Sequence, residues 1–178
     1  VMPFRYLVAY EELQNNEDAK CALSDAMDIS LANVPHFEGR TLVALDMSGS
    51  MFTSWCLTKN FEAKNAFSKG SIFAAALYKT ANTDLCLFNT DARFYKASNK
   101  RDSIASIIQG LHTSALGGGT SYASVFHLIS SYKEVYDRII LISDEQSWVY
   151  NTKEAFSHYK KVTGCNPKIF TIDMAGHA

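Results

Sequence analysis

From Arg40 onward, short continuous apolar runs alternate with longer stretches of helical periodicity, an order that few architectures accept. Thr41-Leu42-Val43-Ala44-Leu45 is almost wholly apolar and stops at Asp46, the pattern of a strand covered on both faces. Asn65 to Thr80 reads as a helix. Its Ala74-Ala75-Ala76 run allows close approach to a sheet, while Gly70 costs the helix about 1 kcal/mol of propensity. Leu85 to Phe88 reads as a second strand. Asn89-Thr90-Asp91-Ala92 is turn-like, and Phe94-Tyr95 returns as a short antiparallel edge. Arg101 to Leu111 is amphipathic, with Ile104, Ile107, Ile108 and Leu111 at helical spacing. After Gly117-Gly118-Gly119, Thr120 or Ser121 is placed to cap a helix that turns Val125, Leu128 and Ile129 toward a core. Ile139 to Ile142 is a strand ending at Ser143-Asp144, Lys153 to Val162 a helix stopped by Gly164 and Pro167, and Ile169 to Ile172 a last strand. Strands alternating with helices imply parallel pairing through crossovers. The expected fold is therefore α/β: a doubly wound, mostly parallel sheet with helices on both faces. Two helices, Phe4 to Leu13 and Asp18 to Val34, precede it, so residues 1–39 form a helical segment ahead of a domain over residues 40–178.

A chain of 178 residues fits one domain, domains being about 100–200 residues long, and its 47% apolar content is enough for a real core. Seventeen basic residues stand against eighteen acidic ones, a formal charge of -1, which argues against a broad electropositive nucleic-acid surface. Cys21, Cys56, Cys86 and Cys165 are widely spaced and contain no Cys-x-x-Cys pair, so no zinc or redox motif is present. Cys86, inside Leu85-Cys86-Leu87-Phe88, reads as a buried thiol, and the cysteine usage as a whole suits a reducing, cytoplasmic setting. No apolar run reaches the roughly 18 residues of a membrane span, and the N-terminus carries no signal-peptide pattern. Starting at Val1 and stopping just after an apolar strand, the chain reads as a piece of something longer.

Three places share one geometric property. Asp46, Ser48 and Ser50 follow the first strand, Thr120 lies in the glycine-rich loop, and Asp144 follows a later strand. In an open α/β sheet, ligands bind beyond the carboxyl ends of the strands. All five side chains offer oxygen, which is what hard cations take, magnesium at about 2.0–2.1 Å in near-octahedral geometry. Alternate spacing in Asp46-x-Ser48-x-Ser50 suits a curled loop, and Gly49 relaxes its backbone. The expected cofactor is Mg2+, with Mn2+ or Ca2+ as alternatives. Taken alone, the first loop has an ordinary strand-end turn as its lesser reading, and the glycine run is a weak signal. Thr120 and Asp144 in register with it are what make a site.

These residues resemble the metal-ion-dependent adhesion site of von Willebrand factor A domains. The resemblance rests on Asp46-Met47-Ser48-Gly49-Ser50-Met51, Gly119-Thr120-Ser121 and Ile142-Ser143-Asp144, and it covers roughly Arg40 to Met174. It implies a Rossmann-like fold, direct metal binding by Ser48 and Ser50, and aspartates that often act through water. Thr120 would bind directly or through water, and an open position would accept a Glu or Asp carboxylate from a partner.

A narrower resemblance is to the C-terminal domain of the Ro autoantigen (TROVE-module) ribonucleoproteins. It is carried by Pro3-Phe4-Arg5-Tyr6-Leu7 with Ala9-Tyr10, Asp25-Ala26-Met27-Asp28, Ala32-Asn33-Val34-Pro35, Gly39-Arg40-Thr41-Leu42-Val43, Gly117-Gly118-Gly119-Thr120 and Ser143-Asp144-Glu145-Gln146-Ser147-Trp148. One departure is Gln146, where the family pattern leads one to expect Glu, with Glu145 displaced by one position. This resemblance implies that residues 1–34 join the domain to a ring of helical repeats, absent from this chain, that holds small non-coding RNA in the full-length protein.

The functional expectation is a non-enzymatic, metal-dependent protein-binding module of a Ro-like RNA-binding protein, with an acidic partner side chain at the metal. Two alternatives stand beside it: a magnesium-dependent phosphoryl-transfer enzyme with Asp46 as nucleophile, and a von Willebrand factor A adaptor unrelated to RNA. The enzyme reading needs a carboxylate at position 48, where the chain has Ser48, and a rim lysine. His36, His112, His127, His158 and His177 do not cluster with a nucleophile. Trp55 and Trp148 each follow a metal loop and read more readily as packing than as partner contacts. Lys160-Lys161 reads as a solvated helix face.

Overall fold

β1 (Thr41–Asp46) runs through the middle of the sheet, and every one of its six residues is buried. The computed structural model describes the chain apart from residues 1–5, 7–8, 10–11, 14–15, 31–33, 35–36, 53–64, 81, 98, 100, 146–150 and 177–178. Around β1 lie α1 (Glu17–Ser30), α2 (Ala66–Tyr78), β2 (Thr83–Phe88), β3 (Ala92–Tyr95), α3 (Ile104–Ser114), α4 (Tyr122–Ser131), β4 (Arg138–Ser143), α5 (Thr152–Thr163) and β5 (Lys168–Asp173), with a 3-10 turn at Gly49–Phe52. The strand order is β3-β2-β1-β4-β5. All neighbours pair in parallel except β3, which returns antiparallel on β2. This is the mostly parallel α/β sheet expected from the alternation.

Alternate residues of β1 divide two cores. Val43 and Leu45 face α2 and α3, with Phe67, Ile104, Ile107, Ile108 and Leu111. Leu42 and Ala44 face α4 and α5, with Phe126, Ile129 and Tyr159. Each such side chain contributes about 1.5–3 kcal/mol on burial, so the sheet is held from both sides. Because β2 lies on one flank of β1 and β4 on the other, the chain changes winding direction at β1, and the crevice this opens lies at the carboxyl ends of β1 and β4.

Local signals set the boundaries. Asn16 caps α1, its Oδ1 accepting from the Ala19 amide at 3.0 Å. Of the expected continuation of that helix to Val34, residues 31–33 lie outside those described; α1 is described over Glu17–Ser30, and Val34 stands in a bend, as suits a residue preceding Pro35. Helix α3 starts at Ile104 rather than Arg101, because the Ser103 hydroxyl accepts from the Ser106 amide at 3.2 Å and takes the cap. Ser121 holds the cap position of α4 without a side-chain cap bond, and Leu128 is only half-buried, unlike Val125 and Ile129. Of the expected first helix, Phe4 to Leu13, most residues lie outside those described, although Tyr6 packs against the first core.

Gly70 has a packing reason. A Cβ there would stand 2.9 Å from Leu45 Cδ1 and 3.0 Å from Ile142 Cγ2, so its absence lets α2 lie directly on β1 and β4. Met27 of α1 is buried in the same core. Asp28 ties α1 down by pairing with Lys79 Nζ at 2.8 Å. At the amino end of the sheet, Arg40 binds Asp84 at 2.6 Å and Glu134 at 2.5 Å and lies over the Tyr136 ring. The edge strand β5 leaves Ile169 and Phe170 exposed. No helix among the described residues is long and apolar enough to cross a membrane.

Candidate metal centre

Asp46 ends β1, and its carboxylate is fully buried between two loops. One oxygen, Oδ1, accepts from the Ser48 amide at 2.8 Å, which curls the chain immediately after the strand. The other, Oδ2, accepts from the Ser143 hydroxyl at 2.6 Å across the β1–β4 crevice. With both oxygens engaged, Asp46 is fixed in orientation.

The curl brings Ser48 Oγ and Ser50 Oγ to 3.1 Å from one another. Neighbouring oxygens around an ion bound at about 2.0–2.1 Å stand ~2.9 Å apart in an octahedron, so the two hydroxyls are already near the spacing of adjacent ligands. Ser48 is buried and Ser50 half-buried. The second loop closes on the first through the Gly49 amide, which donates to the Gly118 carbonyl at 2.7 Å, and Thr120 follows, buried at 3% exposure. Asp144, immediately after β4, is also 3% exposed. All five expected residues therefore lie on the loops that meet at the carboxyl ends of β1 and β4.

The electrostatics follow from this burial. Desolvation pushes the Asp46 carboxyl above its ordinary range; the bonds from Ser143 and Ser48 act against the rise, and the charge of Asp144 adds to it. Two carboxylates held out of water within reach of each other's field are costly unless a cation joins them. Among the described residues, no three His, Cys, Asp or Glu side chains converge on one point. The candidate residues offer two carboxylates and three hydroxyls, an all-oxygen set whose chemistry fits magnesium rather than zinc.

Three further residues belong to the site although the sequence reading assigns them no site role. Ser143 is a junction: it donates to Asp46 and accepts from the Glu145 amide at 3.2 Å. Burial raises the Tyr122 hydroxyl pKa, and the nearby charges of Asp46, Glu145 and Asp144 raise it further. Asn89 follows β2 and donates from its side chain to the Gly117 carbonyl at 2.5 Å. A hydroxyl beside a strand-end aspartate was a readable signal for Ser143. For Tyr122 and Asn89 the signal was absent, because both act from other elements. Glu145 is exposed and takes a positive φ of 59°, while Gln146 and Trp148 lie outside the described residues, as do Trp55, Cys56, His36 and His177.

The remaining candidates fall where a bland reading puts them. His112 packs edge-on against Phe67, and burial lowers its pKa. His127 and His158 are exposed. Lys161 is exposed, and Lys160 lies over the Phe156 ring. Cys86 is a buried free thiol pushed up by desolvation, with Cys21 and Cys165 also free.

Comparison with known proteins adds the family. The model of the Ro60 vWA domain matches residues 40–178. Among solved structures, the Deinococcus radiodurans Ro (RSR) protein is similar with a TM-score of 0.72 at 18% identity, covering 100% of this chain and 38% of that one. The conserved hypothetical protein BatB from Bacteroides thetaiotaomicron is similar with a TM-score of 0.51 at 17% identity, over 74% of this chain and 64% of that one. At such identities the structural likeness speaks for the fold alone. The chain spans well under half the length of the Deinococcus protein. No curated protein matches it.

Proposed function

Because the chain belongs to the Ro60 vWA domain family, we propose that it is a non-enzymatic binding module whose Asp46, Ser48, Ser50, Thr120 and Asp144 hold a divalent cation, magnesium first. The observation that carries this reading is the pair of buried carboxylates, Asp46 and Asp144, beside two hydroxyls at ligand spacing. A magnesium ion bound there supplies a coordination position for the carboxylate of a protein partner. Ser48 and Ser50 would bind it directly, Asp46 would orient a water, and Ser143 would keep Asp46 from swinging into the shell.

Phosphoryl transfer by Asp46 is the weaker reading. A nucleophilic carboxylate needs an oxygen free to attack, whereas both oxygens of Asp46 accept bonds and neither is exposed. The biological setting we propose is a Ro-like ribonucleoprotein in the cytoplasm, with small non-coding RNA held by the rest of the full-length protein. The near-balanced charge of -1 supports leaving RNA to the remainder, and retention of RNA on a filter by this chain at low salt would overturn that division of labour.

The metal reading is tested by titration calorimetry with magnesium on the wild type and Asp46→Ala. Saturable binding by the first and none by the second is expected; equal heats from both would sink it.

A further inference from the structure

Asn89 stands at the carboxyl end of β2 and contributes no ligand to the centre, yet it contacts both flanks of the Thr120 loop. Its side-chain amide donates to the Gly117 carbonyl at 2.5 Å, three residues before Thr120. Its own carbonyl accepts from the Ser121 amide at 2.9 Å, one residue after it. Asn89 is itself held: its Oδ1 accepts from the Asp91 amide at 2.9 Å, and its amide donates to the Asp91 carbonyl at 2.8 Å. The turn between β2 and β3 is therefore a fixed post rather than a loose connection.

The same post reaches the Asp46 loop. Gly118 lies against the Asn89 amide with a φ of 104°, and a Cβ at that position would stand 3.2 Å from Asn89 Nδ2. The carbonyl of Gly118 accepts the Gly49 amide at 2.7 Å. Gly49 separates Ser48 from Ser50, the two hydroxyls at ligand spacing. Two hydrogen bonds, joined through the peptide bond between Gly117 and Gly118, thus lead from Asn89 to the centre of the Asp46 loop. Without the side-chain bond, three consecutive glycines would have many backbone states open to them, and Thr120 would share that freedom.

We infer that Asn89 is a positioning residue for the metal centre, setting the distance between Thr120 and the Ser48–Ser50 pair by clamping the glycine run. This rests on the metal reading proposed above. Groups that orient metal ligands from behind typically change affinity by about 10–100-fold when removed. Asn89→Ala removes both side-chain bonds, whereas Asn89→Asp keeps the acceptor for the Asp91 amide and loses only the donor to Gly117.

The test measures magnesium affinity by calorimetry for the wild type, both Asn89 variants and Tyr136→Phe. The last removes a hydroxyl bonded to Asp84 at the far end of the sheet and serves as a control for general destabilisation. Amide exchange at Gly49 is followed alongside by NMR. Expected are a Kd about tenfold weaker in both Asn89 variants, faster exchange at Gly49, and wild-type affinity in Tyr136→Phe. Wild-type magnesium affinity in both Asn89 variants would overturn the role given to Asn89 and leave the metal reading standing. An affinity loss of similar size in Tyr136→Phe would overturn it too, by making the effect one of stability. Absence of magnesium binding in the wild type would instead overturn the metal reading, and this inference with it.

Discussion

Asp46→Asn should make the metal-free domain more stable while abolishing its response to magnesium, and the two effects have opposite signs in one experiment. The buried carboxylate is neutralised without losing its place: Oδ1 still accepts from the Ser48 amide, and the new Nδ2 donates to Ser143 Oγ once that hydroxyl turns. Converting two charge-assisted bonds to neutral ones loses about 1 kcal/mol each. Against that stands the effective desolvation penalty of a buried ion, several kcal/mol after relaxation, together with the field of Asp144. The net expectation is a gain on the order of 1 kcal/mol, or about 2–4 °C in Tm for a domain of this size. Magnesium at about 100 times its Kd stabilises the wild type by ~2.7 kcal/mol through linkage, or about 5–10 °C on the same scale. Scanning calorimetry with and without magnesium should show the variant starting above the metal-free wild type and ending below the magnesium-loaded one, its own trace unmoved by the ion. A variant that melts several degrees below the metal-free wild type would refute the claim that the carboxylate is held at a cost, and a variant whose Tm rises with magnesium would refute Asp46 as part of the centre.

Other outcomes follow from the same contacts. Because burial raises the Asp46 pKa, the folded protein binds that proton more tightly than the unfolded chain. The carboxyl's contribution to metal-free stability is therefore present at low pH and lost as pH rises through the raised value. Magnesium needs the ionised form, so calorimetry at successively lower pH should show affinity falling as Asp46 takes up its proton; a Kd that stays constant down to the acid limit of folding would contradict the shift. Gly70→Ala gains up to about 1 kcal/mol of helix propensity but drives a methyl into Leu45 and Ile142, an overpacking cost of about 1–3 kcal/mol, so urea titration should give a lower midpoint, and a raised one would mean α2 can lift off the sheet. Arg40→Met should destabilise by about 1 kcal/mol once solvent screening of its half-exposed pairs is allowed for, with magnesium affinity unchanged because the cluster lies at the other end of β1.

What could be read from the sequence was whatever is decided locally. β1 announced itself because burial on both faces leaves no polar alternation, and the five metal candidates were legible because ligand chemistry requires particular side chains at strand ends. The helix ends were missed where a stronger local rule competed: the Ser103 cap starts α3 at Ile104 rather than Arg101, and Val34 before Pro35 stands in a bend rather than a helix. Gly70 reads from propensity only as a weak helix position, whereas the structure shows that a Cβ there would press on Leu45 and Ile142. That reason depends on two strands far away in sequence, and no window around Gly70 contains them.

The site shows the same division more sharply. Ligand identity is a property of single residues, but ligand spacing is a property of how three loops hold one another, through Gly49 to Gly118, Asn89 to Gly117 and Ser143 to Asp46. Two of these three contacts involve a backbone carbonyl of the glycine run, which has no side chain to advertise a partner. A chain could therefore keep Asp46, Ser48, Ser50, Thr120 and Asp144 and still lose tight metal binding through a change at Asn89. On the metal reading proposed here, the five candidate ligands state what would be bound; the contacts behind them would decide how tightly, and those become visible only once the strands are placed side by side.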